Sequence, residues 1–436
     1  MNIIKKALKM GADDVVVESQ RGFSKQIRFA NNTVTISQLW NILATSIFLT
    51  WNNRVVATTI HDSSEKTVNA ALRKLMKTVK VVKINKNYYN IAEGPFIYKK
   101  ITDIFDPRLK ELGEKAIDIV DSSINKALEF SEKTAGVFYN TCVERSLETS
   151  RGVKAKEEKT NVQINIRAFN AKDESGQAVS CSRTLSKFEP EKAAEKAGTI
   201  SKLAKNPKHG KTGKFDVVFD PLSIADLLSL VGRFSSAFMV DSGYSFLTDK
   251  IGKMVANKKV TVVDDGRMEN GFISTQFDSE GYPTQRTPII ENGILKTYLH
   301  NTSTAKKFKT KTTGNAGLIA PEPTNTILIP GKHSKEEIFR EVKNGLYITN
   351  VWYTRFQNYR TGDFSTIPRD GIFLIKNGEI AGSFKNIRVS DNLERMLKNV
   401  AAISNKPEWI QWWEVENPVY TPYVLIKNVN ITLPTM

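Results

Sequence analysis

The side chains that could bind a catalytic metal are few in this 436-residue sequence. The four histidines are His61, His209, His300 and His333. None stands in an H-E-x-x-H or H-x-H spacing, which lets two imidazoles reach one ion, and Cys142 and Cys181 form no C-x-x-C pair. Distant residues could still converge, and His300, His333 and a carboxylate are the available set. We predict no metal and no cofactor.

Nucleophilic and phosphate-binding patterns give no stronger signal. The sequence has no G-x-S-x-G elbow, and the glycine-rich stretch 313–317 lacks the lysine of a phosphate-binding loop. Asp264 and Asp265 are adjacent on a predicted strand, so their side chains should point to opposite faces rather than form an acid–base pair. We interpret the first stretch as a tight loop and the two aspartates as the end of a strand.

An aromatic tract near the C-terminus could serve recognition. It contains Trp409, Trp412 and Trp413 within five residues, interspersed with polar side chains. Tryptophan is enriched at the centres of protein interfaces. It is equally common in cores, so the tract predicts either an interface or a packed interior.

The elements that would position these residues begin with a repeated order. Residues 1–82 read as a helix, antiparallel strands and a second helix for which Asp62 is the predicted N-cap. Alternation predicts strands at 14–19, 25–30, 33–38, 45–51 and 54–59, with turns at Asn31-Asn32 and Asn52-Asn53. After a linker, 83–107, the same order recurs over 108–208. Its predicted strands are 136–142, 144–149, 153–158, 162–169 and 177–183. We predict a duplicated unit, against chance agreement of a common pattern.

The remaining segment, 213–436, differs in character. Strands dominate, and Asn292-Gly293 and Asn377-Gly378 mark two hairpins. Helices are predicted at 222–239, 334–343 and 391–403, and a last strand at 423–433. The predicted fold class is therefore α+β: two repeated helix–antiparallel-sheet–helix units followed by a larger β-rich α+β C-terminal domain.

The formal charge of +17 raises the question of a polyanion partner. The lysines are spread along the chain without a recognition motif, so we favour a solvated basic surface and expect no specific nucleic acid. The N-terminal residues lack the apolar core of a signal peptide, and no apolar run is long enough for a membrane helix. With only two cysteines, the sequence predicts a cytoplasmic protein without a membrane association.

A family resemblance enters in the C-terminal third. Residues 278–301, DSEGYPTQRTPIIENGILKTYLHN, resemble the D-x-E-G-x-P-x-x-R-T-x-L-I-E-N-G-x-L-x-x-Y-L-H-N stretch of TldE proteins in the TldD/TldE (PmbA) peptidase family. Further matches at family spacing extend the resemblance over about residues 213–400. The N-terminal half agrees with the family in pattern only.

The resemblance implies where a metal would be held. TldD subunits bind zinc through an H-E-x-x-x-H helix and a later cysteine. Counting back from Gly243, Leu228 and Arg233 stand where the histidines would be, and Ser229 where the glutamate would be. No cysteine follows Cys181, and no His-Glu pair occurs anywhere.

The implied role is a non-catalytic TldE-like partner of a TldD-like zinc peptidase subunit that acts on unfolded or extended peptides. An independently active metallopeptidase and a polyanion-binding protein are the alternatives. The family's old label, modulator of DNA gyrase, is not evidence of DNA contact. Candidate substrate or interface residues are Arg286, His300, Asn301, Asn315, Asn325, Asp363, Trp409, Trp412 and Trp413.

Overall fold

The N-terminal half is one six-stranded sheet built from two groups of elements. The computed structural model describes residues 2–434. The first group is α1 (Ile3–Lys9), β1 (Val15–Ala30), β2 (Thr33–Trp51), β3 (Arg54–Ile60) and α2 (Glu65–Val79). The second comprises α3 (Pro107–Lys110), α4 (Lys115–Leu128), β4 (Lys133–Thr149), β5 (Lys154–Ala171), β6 (Glu174–Ser182) and α5 (Pro190–Leu203). The antiparallel strand order is β3-β2-β1-β4-β5-β6, so β1 and β4 join the two groups.

The strands are longer than predicted. Each pair of short strands expected along β1, β2, β4 and β5 is a single continuous strand; pairing runs unbroken through Arg21–Leu43 and Gly22–Ile42, for example. The middle segments of β1 and β2 are exposed or half-buried on both faces. They therefore lack the alternation on which the prediction relied.

Two helix boundaries also differ from prediction. Ser64, not Asp62, is the N-cap of α2, because the Ser64 hydroxyl accepts the Thr67 N–H while Asp62 accepts the Ser64 N–H. The first helix predicted for the second repeated unit is two helices, α3 and α4.

The helices cover one face of the sheet. Val15, Ile47 and Leu49 pack against α1 and α2, and Ile27 and Phe29 pack in the cluster formed with α4 and α5. The opposite face packs on residues 83–107 and on the C-terminal half, where Phe277 enters the same cluster.

The C-terminal half contains two more sheets. Its elements are β7 (Lys208–His209), β8 (Gly213–Phe219), α6 (Pro221–Phe234), α7 (Ala237–Asp241), β9 (Val262–Asp265), β10 (Arg286–Glu291), β11 (Ile294–Leu295), α8 (Thr302–Lys307), β12 (Thr326–Leu328), α9 (Lys335–Arg340), β13 (Asn344–Asn358), β14 (Asp363–Lys376), β15 (Glu379–Lys385), β16 (Arg388–Asn392), α10 (Leu393–Lys398), β17 (Val400–Ile403), β18 (Glu408–Ile410), β19 (Val419–Thr421) and β20 (Val424–Thr432). One sheet has the order β11-β10-β9-β12-β19-β18. The other has the order β13-β8-β20-β16-β14-β15-β7, and its strand β14 also pairs with β13. The predicted α+β class with a β-rich C-terminal part is confirmed; the domain boundaries remain predictions.

The helix α6 lies between these two sheets. It contacts β8 and β13 of one sheet and β12, β18 and β19 of the other. Its residues are buried on all sides except at Arg233, as expected for a helix that is covered all round. The helix predicted over 222–239 ends at Phe234, where Ser235 is the C-cap, and the chain resumes as α7. Every helix within residues 2–434 is too short or too polar to cross a bilayer.

Candidate functional site

The central feature of the site is the polar chemistry of α6. Asp220 caps its N-terminus by accepting the Leu222 N–H, and Pro221 occupies the first turn. Leu228 is buried among core residues. The buried Ser229 hydroxyl donates to the Asp226 carbonyl oxygen at 2.8 Å. Arg233, at the end of the helix, forms an ion pair with Glu416.

These residues do not fit a catalytic zinc site. Such a site needs three nitrogen, oxygen or sulfur ligands and one open position. The Leu228 side chain has no lone pair, and the Arg233 guanidinium is always protonated. Among residues 2–434, no group of three or more His, Cys, Asp or Glu side chains is placed to hold a metal ion. The helix α6 therefore contributes buried side chains and a charged residue at its end, and its residues do not form a metal-binding face.

Asp226 is the ionisable group that sequence reasoning missed. Its buried carboxylate accepts a hydrogen bond from the Thr354 hydroxyl. Burial raises the pKa of Asp226 to about 7, and the negative charges of Glu414 and Glu416 add to the effect. The signal available in the sequence was the single acidic residue of a predominantly apolar helix.

Four aromatic side chains beside α6 form a cluster, which we call the aromatic cluster: Trp352, Tyr353, Trp412 and Trp413. The Trp352 ring centroid lies 5.7 Å from that of Trp412 and 5.0 Å from that of Trp413. Trp412 is 3% exposed, whereas Trp413 is 59% exposed and Tyr353 is 44% exposed. The tract therefore supplies a core residue, Trp412, and an exposed residue, Trp413. An interface at Trp413 remains a prediction.

The backbone at Tyr353 is unusual. Its φ of 57° lies in the left-handed region, which is rare for a bulky side chain, at an irregularity in the pairing of β13 with β14. The Tyr353 N–H donates to Glu414 Oε1 at 3.0 Å. The Arg167 and Arg369 guanidinium groups lie 5.0 and 4.7 Å from the Trp352 ring centroid. Two guanidinium groups therefore lie over the Trp352 ring of the aromatic cluster.

Trp409 lies apart from the aromatic cluster. Its ring centroid is 4.9 Å from that of Tyr420, and its carbonyl oxygen accepts a hydrogen bond from Cys181 Sγ at 3.3 Å. Both aromatic residues line a cavity of about 230 Å³ that also holds Lys187 and Lys196.

His300 and Asn301 occupy a different place, next to α8. His300 is 1% exposed, and burial lowers its pKa to about 4, so the imidazole is neutral at neutral pH. The Asn301 side chain caps α8 by accepting the Thr304 N–H. His333 has other neighbours: its Nδ1 is 3.8 Å from Glu341. The described contacts therefore do not bring His300 and His333 together.

Three other predicted residues, Asn315, Asn325 and Arg286, lie near the adjacent aspartates Asp264 and Asp265. Asn315 donates to Asp264 Oδ2 at 2.6 Å, and Asn325 donates to the Asp265 carbonyl at 2.7 Å. Burial raises the pKa of Asp264 to about 7. Arg286 is largely exposed, 3.7 Å from Asp265.

Asp363 accepts hydrogen bonds from Thr361 and Asn392 at the start of β14. The nine predicted residues thus do not form one site. Trp412 and Trp413 belong to the aromatic cluster, whereas Asn301, Asn315 and Asn325 form hydrogen bonds within the fold.

Comparison with known proteins identifies the family. The family model described as the PmbA/TldA metallopeptidase C-terminal domain matches residues 212–433. Metalloprotease MJ0996 of Methanocaldococcus jannaschii is 30% identical over 365 residues, which cover 78% of each chain. A second protein of that organism, MJ0231, is 28% identical over 78% of this chain and 79% of its own.

The fold agrees with a solved relative. The crystal structure of TldE from Thermococcus kodakarensis superposes with a TM-score of 0.89 over 99% of both chains, at 21% sequence identity. The structural similarity establishes the fold, and the sequence matches establish the family. The chain belongs to the PmbA/TldD metallopeptidase family.

Proposed function

We propose that the chain is the non-catalytic, TldE-like partner subunit of a TldD-type zinc metallopeptidase that degrades or processes unfolded peptides. The observation that carries the proposal is the composition of α6. Where the family resemblance expects histidine, glutamate and histidine, this helix has a buried leucine, a serine that is hydrogen-bonded within the helix, and an arginine paired with Glu416. A water molecule activated by zinc needs ligands and a general base, and these side chains provide neither.

The pairing of two family members has independent support. Methanocaldococcus jannaschii has two relatives that each cover more than three quarters of this chain, and one of them is named a metalloprotease. Two homologous chains in one organism are what a division between a catalytic and a supporting subunit requires. We infer the same division for the genome that encodes this chain.

The aromatic cluster is the part that we expect to meet the partner or the peptide. Tyr353 and Trp413 expose their rings, and Asp226 and Arg233 of α6 contact the same segments through Thr354 and Glu416. An extended peptide gains sequence-tolerant affinity from main-chain hydrogen bonds at a sheet. Exposed aromatic rings add apolar contact for its side chains. This surface would form one wall of a substrate chamber whose catalytic wall belongs to the partner.

The zinc content of the separate subunits tests the proposal. Both this chain and a TldD-like relative with an intact H-E-x-x-x-H motif would be dialysed against a weak chelator and measured by atomic emission. We expect close to one zinc per TldD-like chain and far below one per chain here. Stoichiometric zinc retained by this chain would contradict the proposal and favour an independently active metallopeptidase.

A further inference from the structure

One edge of the N-terminal sheet is open along half of its outer strand. Along β2, residues 33–51 pair with β1, but β3 covers only Thr45–Trp51. No strand within residues 2–434 pairs with the outer side of Thr33–Ala44. We call Thr33–Ala44 the open edge. At about 3.4 Å per residue it extends for roughly 40 Å.

The direction of the free backbone groups follows from the hairpin. Trp51 and Arg54 flank the two-residue turn between β2 and β3 and therefore form a hydrogen-bonded pair. Alternation along β2 then turns the N–H and C=O groups of Ser37, Leu39, Asn41 and Leu43 outwards. The contact of His61 Nδ1 with the Leu43 carbonyl, at 3.2 Å, agrees with this direction.

The side chains of the open edge offer no protection against pairing. Residues 33–44, TVTISQLWNILA, contain no charged residue and no proline. Ile36 (40%), Leu39 (61%), Trp40 (44%) and Leu43 (39%) are substantially exposed. Folded proteins normally guard an exposed edge strand with charges, proline, bulges or a covering segment. The open edge has one of these features, a register shift at Val34 and Ile36, and lacks charges and proline. An apolar edge of this length is typical of a surface that another strand covers.

The second half of the same sheet provides the contrast. There β6 covers only the C-terminal part of β5 and leaves residues 154–161 without an outer strand. That stretch, KAKEEKTN, carries five charged residues. It is also covered: the Thr160 N–H donates to the Ile104 carbonyl at 3.0 Å, and Glu157 accepts the Gln276 N–H at 2.9 Å. The equivalent position is therefore protected in one half and open in the other.

Charge indicates which partner fits. The hairpin from Arg21 to Ala44 carries three basic residues, Arg21, Lys25 and Arg28, and no acidic residue. They lie on β1 directly across from Leu43, Leu39 and Ile36 of the open edge. In a pair of two copies joined at the open edge, only β2 of each copy would separate the two sets of basic residues, on chains that each carry a net charge of +17. A partner strand with acidic neighbours would be attracted instead.

We propose that the open edge is the docking strand for the peptidase subunit, which adds an uncharged, apolar strand flanked by acidic residues and extends the six-stranded sheet. This rests on the proposed partner role and gives that role a location. Backbone hydrogen bonds supply the affinity, and Ile36, Leu39, Trp40 and Leu43 supply the apolar contact. The basic residues of β1 select the charge of the partner.

The test uses the full-length chain and the TldD-like relative from the same genome. Leu39→Lys adds a charge to the edge, and Asn41→Pro removes an outward N–H without touching the hydrogen bonds to β1. Ile97→Lys is the matched control, since Ile97 is 95% exposed and lies outside the edge. Circular dichroism melting confirms that each variant is folded.

We expect Leu39→Lys and Asn41→Pro each to weaken the complex by about tenfold or more, measured by sedimentation velocity, and Ile97→Lys to leave it unchanged. Hydrogen exchange should show the amides of residues 37, 39, 41 and 43 protected only in the complex. Raising the salt concentration should weaken binding.

The inference would be overturned by unchanged assembly of both edge variants, by the absence of any complex with the wild-type chain, or by a homodimer of this chain that the same substitutions disrupt. A rise in KM for a peptide with assembly intact would instead make the peptide the occupant and also overturn it. A failure of the proposed partner role can be distinguished from a failure of the docking site. A complex that forms through the open edge but leaves the peptidase activity unchanged would refute the partner role and support the docking site.

Discussion

At the scale of single residues, the chemistry of this chain is decided by what α6 contains. Leu228 contributes packing, Ser229 contributes an intrahelical hydrogen bond, and Arg233 contributes a surface ion pair. The remaining ionisable group, Asp226, is held in a nearly dry environment beside Thr354. Such groups influence stability through their protonation, and this gives the site a measurable pH dependence.

Asp226→Asn should stabilise the protein at alkaline pH. Burial raises the folded-state pKa of Asp226 from 3.8 to about 7, so between those values the folded chain holds a proton that the unfolded chain releases. The contribution of Asp226 to stability therefore falls as the pH rises from about 4 to 7. The amide keeps the shape without the charge. We expect the free energy of unfolding in urea to rise by roughly 1–3 kcal/mol at pH 8 and to change little at pH 4.5. Equal changes at both pH values would contradict this assignment.

Substitutions of Trp412 and Trp413 in the aromatic cluster should have different effects, one on stability and the other on function. Trp412→Ala removes a ring that is 97% buried and should cost about 3–5 kcal/mol in the free energy of unfolding. Trp413→Ala removes an exposed ring and should cost less than about 1 kcal/mol while reducing assembly or peptide turnover by the mixed subunits. A joint replacement of Trp409, Trp412 and Trp413 would combine the loss of stability with the loss of function, so the tryptophans are replaced one at a time. An undiminished activity of the Trp413→Ala mixture would remove this residue from the proposed surface.

At the scale of elements, the sequence predicts turns better than strand lengths. The dipeptides Asn31-Asn32, Asn52-Asn53, Asn292-Gly293 and Asn377-Gly378 all have positive φ at both residues, as type I′ hairpins require. The lengths of β1 and β2 were missed because their middle segments have no core on either face. The burial of Asn315 and Asn325 was missed because their partners, Asp264 and Asp265, are more than 50 residues distant. Local patterns cannot reveal hydrogen bonds between remote segments.

A testable prediction at this scale concerns the contact between the N-terminal and C-terminal halves. Arg145 of β4 pairs with Glu18 of β1 at 2.8 Å and donates to the Phe277 carbonyl of the C-terminal half at 2.9 Å. Arg145→Ala would leave buried carboxylates short of a partner and should cost roughly 3–5 kcal/mol in the free energy of unfolding. Lys192→Ala, which breaks an exposed pair with Glu189, should cost less than about 1 kcal/mol. Similar costs for both variants would show that the buried contacts of Arg145 do not hold the halves together.

At the scale of the whole molecule, the net charge of +17 is the most conspicuous property. Net charge governs solubility and non-specific attraction, and says little about a specific partner. We expect duplex DNA to bind with a dissociation constant of about 10⁻⁴–10⁻⁶ M at physiological salt, without sequence preference. Fluorescence anisotropy with two unrelated duplexes at several salt concentrations checks this. Nanomolar, sequence-selective binding would make nucleic acid a genuine partner.

The most direct test of the non-catalytic partner role is a titration of peptidase activity. A fixed amount of the TldD-like relative would be mixed with increasing amounts of this chain, and cleavage of an unfolded peptide followed. This chain alone should be inactive, because Leu228, Ser229 and Arg233 provide neither a set of zinc ligands nor a general base. We expect activity to rise and to saturate when the two chains reach a fixed stoichiometric ratio. Full activity of the relative by itself, unchanged by any amount of this chain, would contradict the partner role.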